Sequence, residues 1–391
     1  MNTINLPSIL DNDFYKFTMQ HAVIKLFPYA KARYAFINRG KHEFPQGFSK
    51  KLAEAIDALK NLKLTADEKD FLLKTCPYLD ATYLDFLEGY RYNPNEVTIT
   101  QNGSDLEVTI EGMWYRTILW EVPIMALICE LYYQTTNQSP ESDTLIADKA
   151  LQKMNLYNDL QINIAEFGTR RRHSFHTHDL VVKTLTEQGK PGFVGTSNVY
   201  LAMKHKTKPI GTHAHEWFMF HAAKYGYKMA NRQGLDHWVD VYRGDLGIAL
   251  TDTYTTDIFL QQFDKKLGKL FDGVRHDSGN PLEFADKIIH RYQQLGIDPR
   301  LKSIIFSDGL NAKKVEEITN YCRGKIGLSF GIGTDFTNDV GLKPLNIVLK
   351  MTEALPQNED WTGVVKLSDE PMKNTGKQRD IRLAKEVLNL M

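Results

Sequence analysis

Apolar and polar positions change their period several times along the first third of the chain. Over residues 6–29 the spacing predicts a helix, with Asp11-Asn12-Asp13-Phe14-Tyr15-Lys16 as its acidic N-terminal turn. Residues 32–37 and 96–110 alternate or carry β-branched runs (Val97-Thr98-Ile99-Thr100 and Leu106-Glu107-Val108-Thr109-Ile110), the second pair split by Asn102-Gly103-Ser104-Asp105. That is the mark of a hairpin. Residues 49–86 between them read as helical. The polar stretch 135–142 (Thr-Thr-Asn-Gln-Ser-Pro-Glu-Ser) reads as a linker. Residues 1–142 are therefore expected to form an α+β accessory domain.

Beyond the linker, short apolar runs each end in a polar cluster, with helix-like segments between. The ends are Glu166-Phe167-Gly168-Thr169-Arg170, Gly195-Thr196-Ser197-Asn198, Gly211-Thr212-His213, Thr251-Asp252, Arg275-His276-Asp277-Ser278-Gly279, Ser307-Asp308-Gly309 and Gly331-Ile332-Gly333-Thr334. Seven strand ends alternating with helices predict an α/β fold, an irregular (β/α) TIM-like barrel over residues 143–350. Residues 345–350 are either an eighth strand or the return of the chain to the accessory domain, which residues 351–391 would then complete.

The unusual side chains collect at these run ends, where barrels place their chemistry. Gly211-Thr212-His213-Ala214-His215-Glu216-Trp217 puts two histidines and a carboxylate at a strand-to-helix junction. Glu216 is expected to fix the tautomer of its neighbour His215. Arg170 suits an anion through forked hydrogen bonds, and Phe167 either stacks on a flat ring or fills the barrel. Gly309 beside Asp308, and Gly331, Gly333 and Thr334, resemble the late glycine turns that cradle phosphate at a helix start. Arg275, Asp277 and Ser278 bring a cation, a carboxylate and a hydroxyl to one strand end. Asp277 is read as holding ribose hydroxyls, binding Mg²⁺ or stabilising a positive sugar centre. His173, His176 and His178 have loose metal spacing, and the His213/His215 pair suggests a rival, a metal-dependent barrel hydrolase. No direct tight metal ligand is assigned.

Composition narrows the classes. Lys plus Arg balances Asp plus Glu at 48 each, so no broad polyanion surface, and no nucleic-acid partner, is expected. Cys76, Cys129 and Cys322 are far apart with no CxxC, which fits a reducing cytoplasm rather than a disulfide framework. No secretory signal is visible, and the most apolar segment, 120–133, is too short to span a bilayer and contains Glu121, Pro123 and Glu130. A soluble cytoplasmic protein without membrane contact is expected.

Several of these clusters, in one order, resemble the nicotinate phosphoribosyltransferase family. They are Asp11-Asn12-Asp13-Phe14-Tyr15-Lys16-Phe17-Thr18-Met19, Glu166-Phe167-Gly168-Thr169-Arg170-Arg171, Gly195-Thr196-Ser197-Asn198-Val199, the His215 junction, Arg275-His276-Asp277-Ser278-Gly279, Phe330-Gly331-Ile332-Gly333-Thr334 and Lys343-Pro344-Leu345-Asn346, with Val365-Lys366-Leu367-Ser368-Asp369 extending the likeness. The resemblance implies a two-domain transferase that joins nicotinate to 5-phosphoribosyl 1-diphosphate for NAD salvage, within the ATP-dependent ligase class. It implies Mg²⁺ and the co-substrate ATP, a transient phosphoryl on His215, and a homodimer. By the same match Gly309, Gly333 and Thr334 take the 5′-phosphate and Asp277 the ribose. Phe167 faces the nicotinate ring, Arg170 and Arg275 lie near its carboxylate or the phosphates, and Tyr15 covers the ring from a neighbouring subunit. The related nicotinamide enzyme carries an acid where Ser197 stands, and a serine does not repel a carboxylate.

Overall fold

The computed structural model describes Ile4 and residues 6–390. In chain order the strands are β1 (Lys31–Asn38), β2 (Val97–Asn102), β3 (Asp105–Met113), β4 (Asn163–Glu166), β5 (Phe193–Thr196), β6 (Lys208–Pro209), β7 (Arg243–Leu246), β8 (Ile248–Leu250), β9 (Gly273–His276), β10 (Ser303–Phe306), β11 (Gly327–Ile332), β12 (Ile347–Leu355) and β13 (Thr362–Gly363). Five of them form an antiparallel sheet in the order β13-β12-β1-β3-β2, and seven form a parallel sheet in the order β6-β5-β4-β11-β10-β9-β8.

The antiparallel sheet follows the alternation. On β3, Leu106, Val108 and Ile110 are buried while their neighbours face out. Asn102 pairs with Asp105 across the hairpin turn, where Gly103 adopts a left-handed φ of 61°. Pairing of β1 with β12, Ala35 opposite Lys350, settles the open choice for residues 345–350: the chain returns to the antiparallel sheet.

In the parallel sheet β4 pairs with β11, so the first and last strands meet as they would in a barrel. The expected barrel nonetheless stays open, because no ladder joins the edges β6 and β8. The reason is local. Strand β6 has two residues, and one of them, Pro209, has no N–H to donate. Side chains bridge the seam instead. Thr212 Oγ1 donates to the carbonyl of Ile248 at 3.3 Å, and the Leu250 N–H donates to His213 Nε2 at 3.1 Å.

The first helix is shorter than its pattern predicts, Phe14–Leu26, and has no acidic residue in its first turn. Residues 11–13 are held elsewhere. The Phe14 N–H donates to the Ser197 carbonyl at 2.7 Å, the Val199 N–H donates to the Asn12 carbonyl at 3.1 Å, and Asn12 Nδ2 donates to the Leu119 carbonyl at 2.9 Å. These long-range bonds outcompete helix extension. Phe14 to Val23 are all buried, including Lys16, Gln20 and His21, so this helix lies inside the protein rather than on it.

An aromatic cluster anchors the His215–Tyr225 helix to the antiparallel sheet. Trp114, which follows β3, stacks on Phe220 at 4.3 Å between centroids, and Phe27 lies 4.8 Å from the same ring. Rings of this size dominate core energetics, so the helix carrying His215 has little freedom to shift. Among the described residues no helix is long and apolar enough to cross a membrane.

Candidate active site

Two cavities meet at the C-terminal ends of the parallel strands. The larger, about 370 Å³, is lined by Arg39, Arg170, Arg171, Arg275, Lys350, Lys366 and Lys373, against Glu121, Asp277, Asp308 and Asp335. Seven cations facing four acids leave a strongly positive space sized for a phosphorylated ligand. Gly309, Gly331, Gly333 and Thr334 form its floor. Gly309 takes a left-handed φ of 52°, and a Cβ on Gly331 would overlap the Phe167 ring. Glycine at 331 therefore lets one edge of the Phe167 ring pack close against the end of β11.

The smaller cavity, about 210 Å³, is lined by Phe167 and Tyr15 and by Ala165, Val194, Ile210, Ile248 and Ile305, with Asp13, Ser197, Arg170 and Arg275 among its polar lining. It is an apolar slot of a size for a flat ring. Phe167, Arg170 and Arg275 line both cavities, so the slot opens into the cationic space beside two guanidinium groups. Tyr15 reaches the slot from this same chain, where a neighbouring subunit had been expected to supply it.

His215 faces the larger cavity and His213 does not. The His213 ring is fully buried against Phe218 and Trp238 and accepts from the Leu250 N–H. Burial and, next, the Lys366 ammonium bring His215 down to about 4, so the imidazole is neutral at pH 7. Its Nδ1 lies 3.0 Å from Thr253 Oγ1, and its Nε2 lies 2.9 Å from Lys366 Nζ and 3.0 Å from Asp277 Oδ2. Nε2 cannot both accept from Lys366 and donate to Asp277. With the ammonium beside it, Nε2 keeps its lone pair and Nδ1–H donates to Thr253.

Glu216, the expected tautomer partner, points away from its neighbour. It accepts from Lys16 Nζ at 2.5 Å and from the Tyr34 hydroxyl at 2.8 Å. Adjacent residues at a helix start project about 100° apart, which sequence adjacency conceals. Asp277 accepts from Arg275 at 2.9 Å and from Ser307 at 2.8 Å. Burial raises its carboxyl, but the Arg275 guanidinium overcomes this and holds it well below the usual range, so it stays ionised.

Two further strand-end hydroxyls face elsewhere. Ser278 is buried and donates to Asp252 Oδ2 at 2.6 Å, and Thr196 is buried and donates to Glu166 Oε2 at 2.5 Å. Both small hydroxyls are used to satisfy buried carboxylates. Ser197 does line the slot, but its hydroxyl donates to Asp13 Oδ1 at 2.7 Å. An acid does line the slot, supplied by Asp13, whose carboxyl burial pushes upward. Asp308 is clamped by Lys373 at 2.7 Å.

The histidines with loose metal spacing diverge. His173 stacks on Tyr133, His176 is exposed beside Asp143, and His178 pairs with Glu166. The donor atoms of His215, Asp252 and Asp277 do lie within 4.8 Å of one another. Asp252 Oδ1 is buried without a hydrogen-bond partner, so a hard divalent cation such as Mg²⁺ fits this pair of carboxylates. Lys366, 3.1 Å from Asp252 Oδ2, supplies positive charge at the same place.

Sequence reading gave no role to Arg39, Lys350, Lys366, Lys373, Glu121 or Asp252. Lys366 lay in a recognised stretch, but an isolated lysine far along the chain carries no spacing signal. Asp252 ended one of the apolar runs, a signal that was present and went unused.

An α/β chain with an open parallel sheet, a cationic phosphate-sized cavity and an aromatic slot opening into it has the makings of a phosphosugar-handling enzyme. The model of the nicotinate phosphoribosyltransferase (NAPRTase) family matches residues 162–391, and that of the NAPRTase N-terminal domain matches residues 10–129. The chain is 61% identical over 385 residues to nicotinate phosphoribosyltransferase of Chromohalobacter salexigens, covering 98% of this chain and 99% of the relative. It is 49% identical to that of Desulforapulum autotrophicum over 98% and 99% of the two chains. The crystal structure of nicotinate phosphoribosyltransferase from Porphyromonas gingivalis superposes with a TM-score of 0.96 at 44% identity, covering 98% of this chain and all of that one (100%). The Vibrio cholerae structure gives 0.91 at 34% identity over 98% and 93%. The chain belongs to the nicotinate phosphoribosyltransferase family.

Proposed function

We propose that this chain joins nicotinate to 5-phosphoribosyl 1-diphosphate, releasing nicotinate mononucleotide and diphosphate, and that ATP drives the cycle through a phosphoryl group carried on His215. One observation carries the reading: an apolar ring slot opens at Phe167, Arg170 and Arg275 into a cationic cavity faced by a neutral histidine. The ring lies between Phe167 and Tyr15, with Arg275 and Arg170 meeting its carboxylate. The glycine turns at Gly309 and at Gly331, Gly333 and Thr334 offer backbone N–H groups to the 5′-phosphate.

The ring nitrogen forms the new bond to C1 of the ribose as the C1–O bond breaks and its electron pair leaves with diphosphate. Asp277, kept ionised, stabilises the positive charge that develops at C1 and accepts from a ribose hydroxyl. Arg39, Lys350 and Lys373 neutralise the departing diphosphate. Mg²⁺, held by Asp252 and Asp277, would supply further neutralisation there. His215 Nε2, unprotonated and released from Lys366, attacks the γ-phosphorus of ATP and ADP leaves. Water later cleaves the N–P bond to give inorganic phosphate. A cycle of this kind belongs to the ATP-dependent ligases, and we read the enzyme as a cytoplasmic homodimer built on a broken (β/α) barrel. Light scattering checks the dimer.

Steady-state formation of nicotinate mononucleotide tests the reading. Product is expected from nicotinate and phosphoribosyl diphosphate, stimulated by ATP in the wild type and unstimulated in His215→Ala. No product from the wild type under any condition would reject the transferase. The metal-dependent hydrolase is not favoured, because His213 is turned away and the histidine pair cannot act together.

A further inference from the structure

The geometry points to Lys16 as the positioning residue that ties the loop bearing His215 to the wall of the ring slot, so that nicotinate affinity depends on the state of His215. The inference deepens the phosphohistidine reading above and rests on it.

Helix Phe14–Leu26 is bonded to residues 212–216, the loop before the His215–Tyr225 helix and that helix's first turn, at three levels. Thr18 Oγ1 donates to the Thr212 carbonyl at 2.5 Å, the Ala214 N–H contacts Met19 Sδ at 3.4 Å, and Lys16 Nζ donates to Glu216 Oε1 at 2.5 Å. Two slot-lining residues stand at the start of the same helix. Asp13, its N-cap, accepts from Ser197, and Tyr15 lines the slot together with Phe167. Lys16 thus stands one residue from the slot wall, and its partner Glu216 one residue from His215.

The second carboxylate on Lys16 is Glu121 at 2.6 Å. Glu121 lines the cationic cavity, and its other oxygen lies 3.6 Å from Arg170, which belongs to both cavities. Lys16 has no solvent exposure, and its charge is compensated by this carboxylate pair. Burial lowers an ammonium, but Glu121 and Glu216 reverse this and keep Lys16 charged. Tyr34 completes the set by donating to Glu216 Oε2 at 2.8 Å.

A phosphoryl on His215 adds up to two negative charges at the start of its helix. Any displacement of Glu216 in response must carry Lys16, since leaving either charge unpaired in this dry site is strongly unfavourable. The Lys16 ammonium also lies over the Tyr15 ring, 5.4 Å from its centroid, so a displacement of Lys16 is felt at the slot wall. Ring affinity and histidine phosphorylation are then linked, and by reciprocity bound nicotinate changes the ease of phosphorylation.

The experiment measures the nicotinate KM with and without ATP, and acid-labile ³²P on the protein, for wild type, Lys16→Met, Lys16→Arg and Tyr34→Phe. In the wild type ATP lowers the KM. In Lys16→Met the ratio of the two KM values falls to about one, while phosphoryl incorporation and kcat without ATP stay within roughly threefold of the wild type. Lys16→Arg, which keeps the charge, restores at least part of the ratio, and Tyr34→Phe, which leaves the ion pair, keeps it. An unchanged ratio in Lys16→Met overturns the inference. Should Lys16→Met fail to fold, a Lys16→Arg ratio that falls to about one, or loss of the ratio in Tyr34→Phe, overturns it equally. No label and no ATP effect in the wild type overturns the phosphohistidine reading itself and the link with it.

Discussion

Removing the ammonium beside His215 should move the pH at which the histidine stops working. Lys366 Nζ lies 2.9 Å from Nε2. At that distance, with an effective dielectric constant of roughly 20 to 40, an ammonium repels a protonated imidazole by about 3–6 kcal/mol. That corresponds to about 2–4 pKa units. Burial is the larger cause of the fall to about 4 and remains after substitution, so the lower end applies. Asp277 and Asp252 also remain, 3.0 and 3.7 Å from Nε2, and favour the charged ring. In Lys366→Met, His215 should therefore titrate near roughly 6 to 7. Only the neutral ring accepts a phosphoryl. Single-turnover phosphorylation by γ-labelled ATP should be flat from pH 9 to about 5 in the wild type, and should fall with a midpoint between about 6 and 7 in the variant. Loss of a direct contact between Lys366 and the phosphoryl would scale the whole curve without moving its midpoint. Lys366→Gln, which keeps a donor but no charge, should shift like the methionine variant. Curves that superpose after scaling would refute the electrostatic reasoning. Both variants also leave Asp252 without its cation, so urea unfolding should register a loss of about 3–5 kcal/mol.

Burial, the first cause, brings Lys350 down to about 8, so it begins to lose its charge just above neutral pH. Anion binding favours the charged form, so the KM for phosphoribosyl diphosphate should rise between pH 8 and about 9.5, and Lys350→Met should flatten that rise from a higher starting value. Ser197→Asp would set a second carboxylate beside Asp13, and the nicotinate KM should rise by about tenfold or more, about 1.4 kcal/mol, with little change in kcat; unaltered nicotinate kinetics would reject a role for residue 197 in recognising the carboxylate. Gly331→Ala must displace the Phe167 ring, so calorimetry should show weakened nicotinate binding while circular dichroism is unchanged; wild-type affinity would mean that Phe167 is not a wall of the slot.

Most elements were legible because their signals are local. The 96–110 hairpin carried both alternation and a glycine turn, and the parallel strands announced themselves by apolar runs ending in glycines and acids. What failed was decided by distant partners. Residues 11–13 look like a helix start, yet Ser197, Val199 and Leu119 claim their backbone and side chains, and the helix begins at Phe14. The barrel stays open because Pro209, in a two-residue strand, cannot donate to a neighbour, and only the three-dimensional order makes that a seam. At the site, His215, Asp277, Phe167, Arg170 and Arg275 came from strand ends and do share a cavity. Glu216 was misjudged because neighbours in sequence diverge around a helix, and Lys350 and Lys366 were missed because the chain brings them back from the antiparallel sheet and the C-terminal segment.

The most direct measurement is transfer of label from γ-³²P-ATP to the protein, in wild type, His215→Ala and His213→Ala side by side. Acid-labile, base-stable label should form on the wild type and be lost only in His215→Ala. His213→Ala, which removes a buried acceptor for the Leu250 N–H, should lower stability yet still take up label. Label that survives in His215→Ala, or that disappears only with His213, would contradict the assignment of the cavity-facing histidine as the phosphoryl carrier.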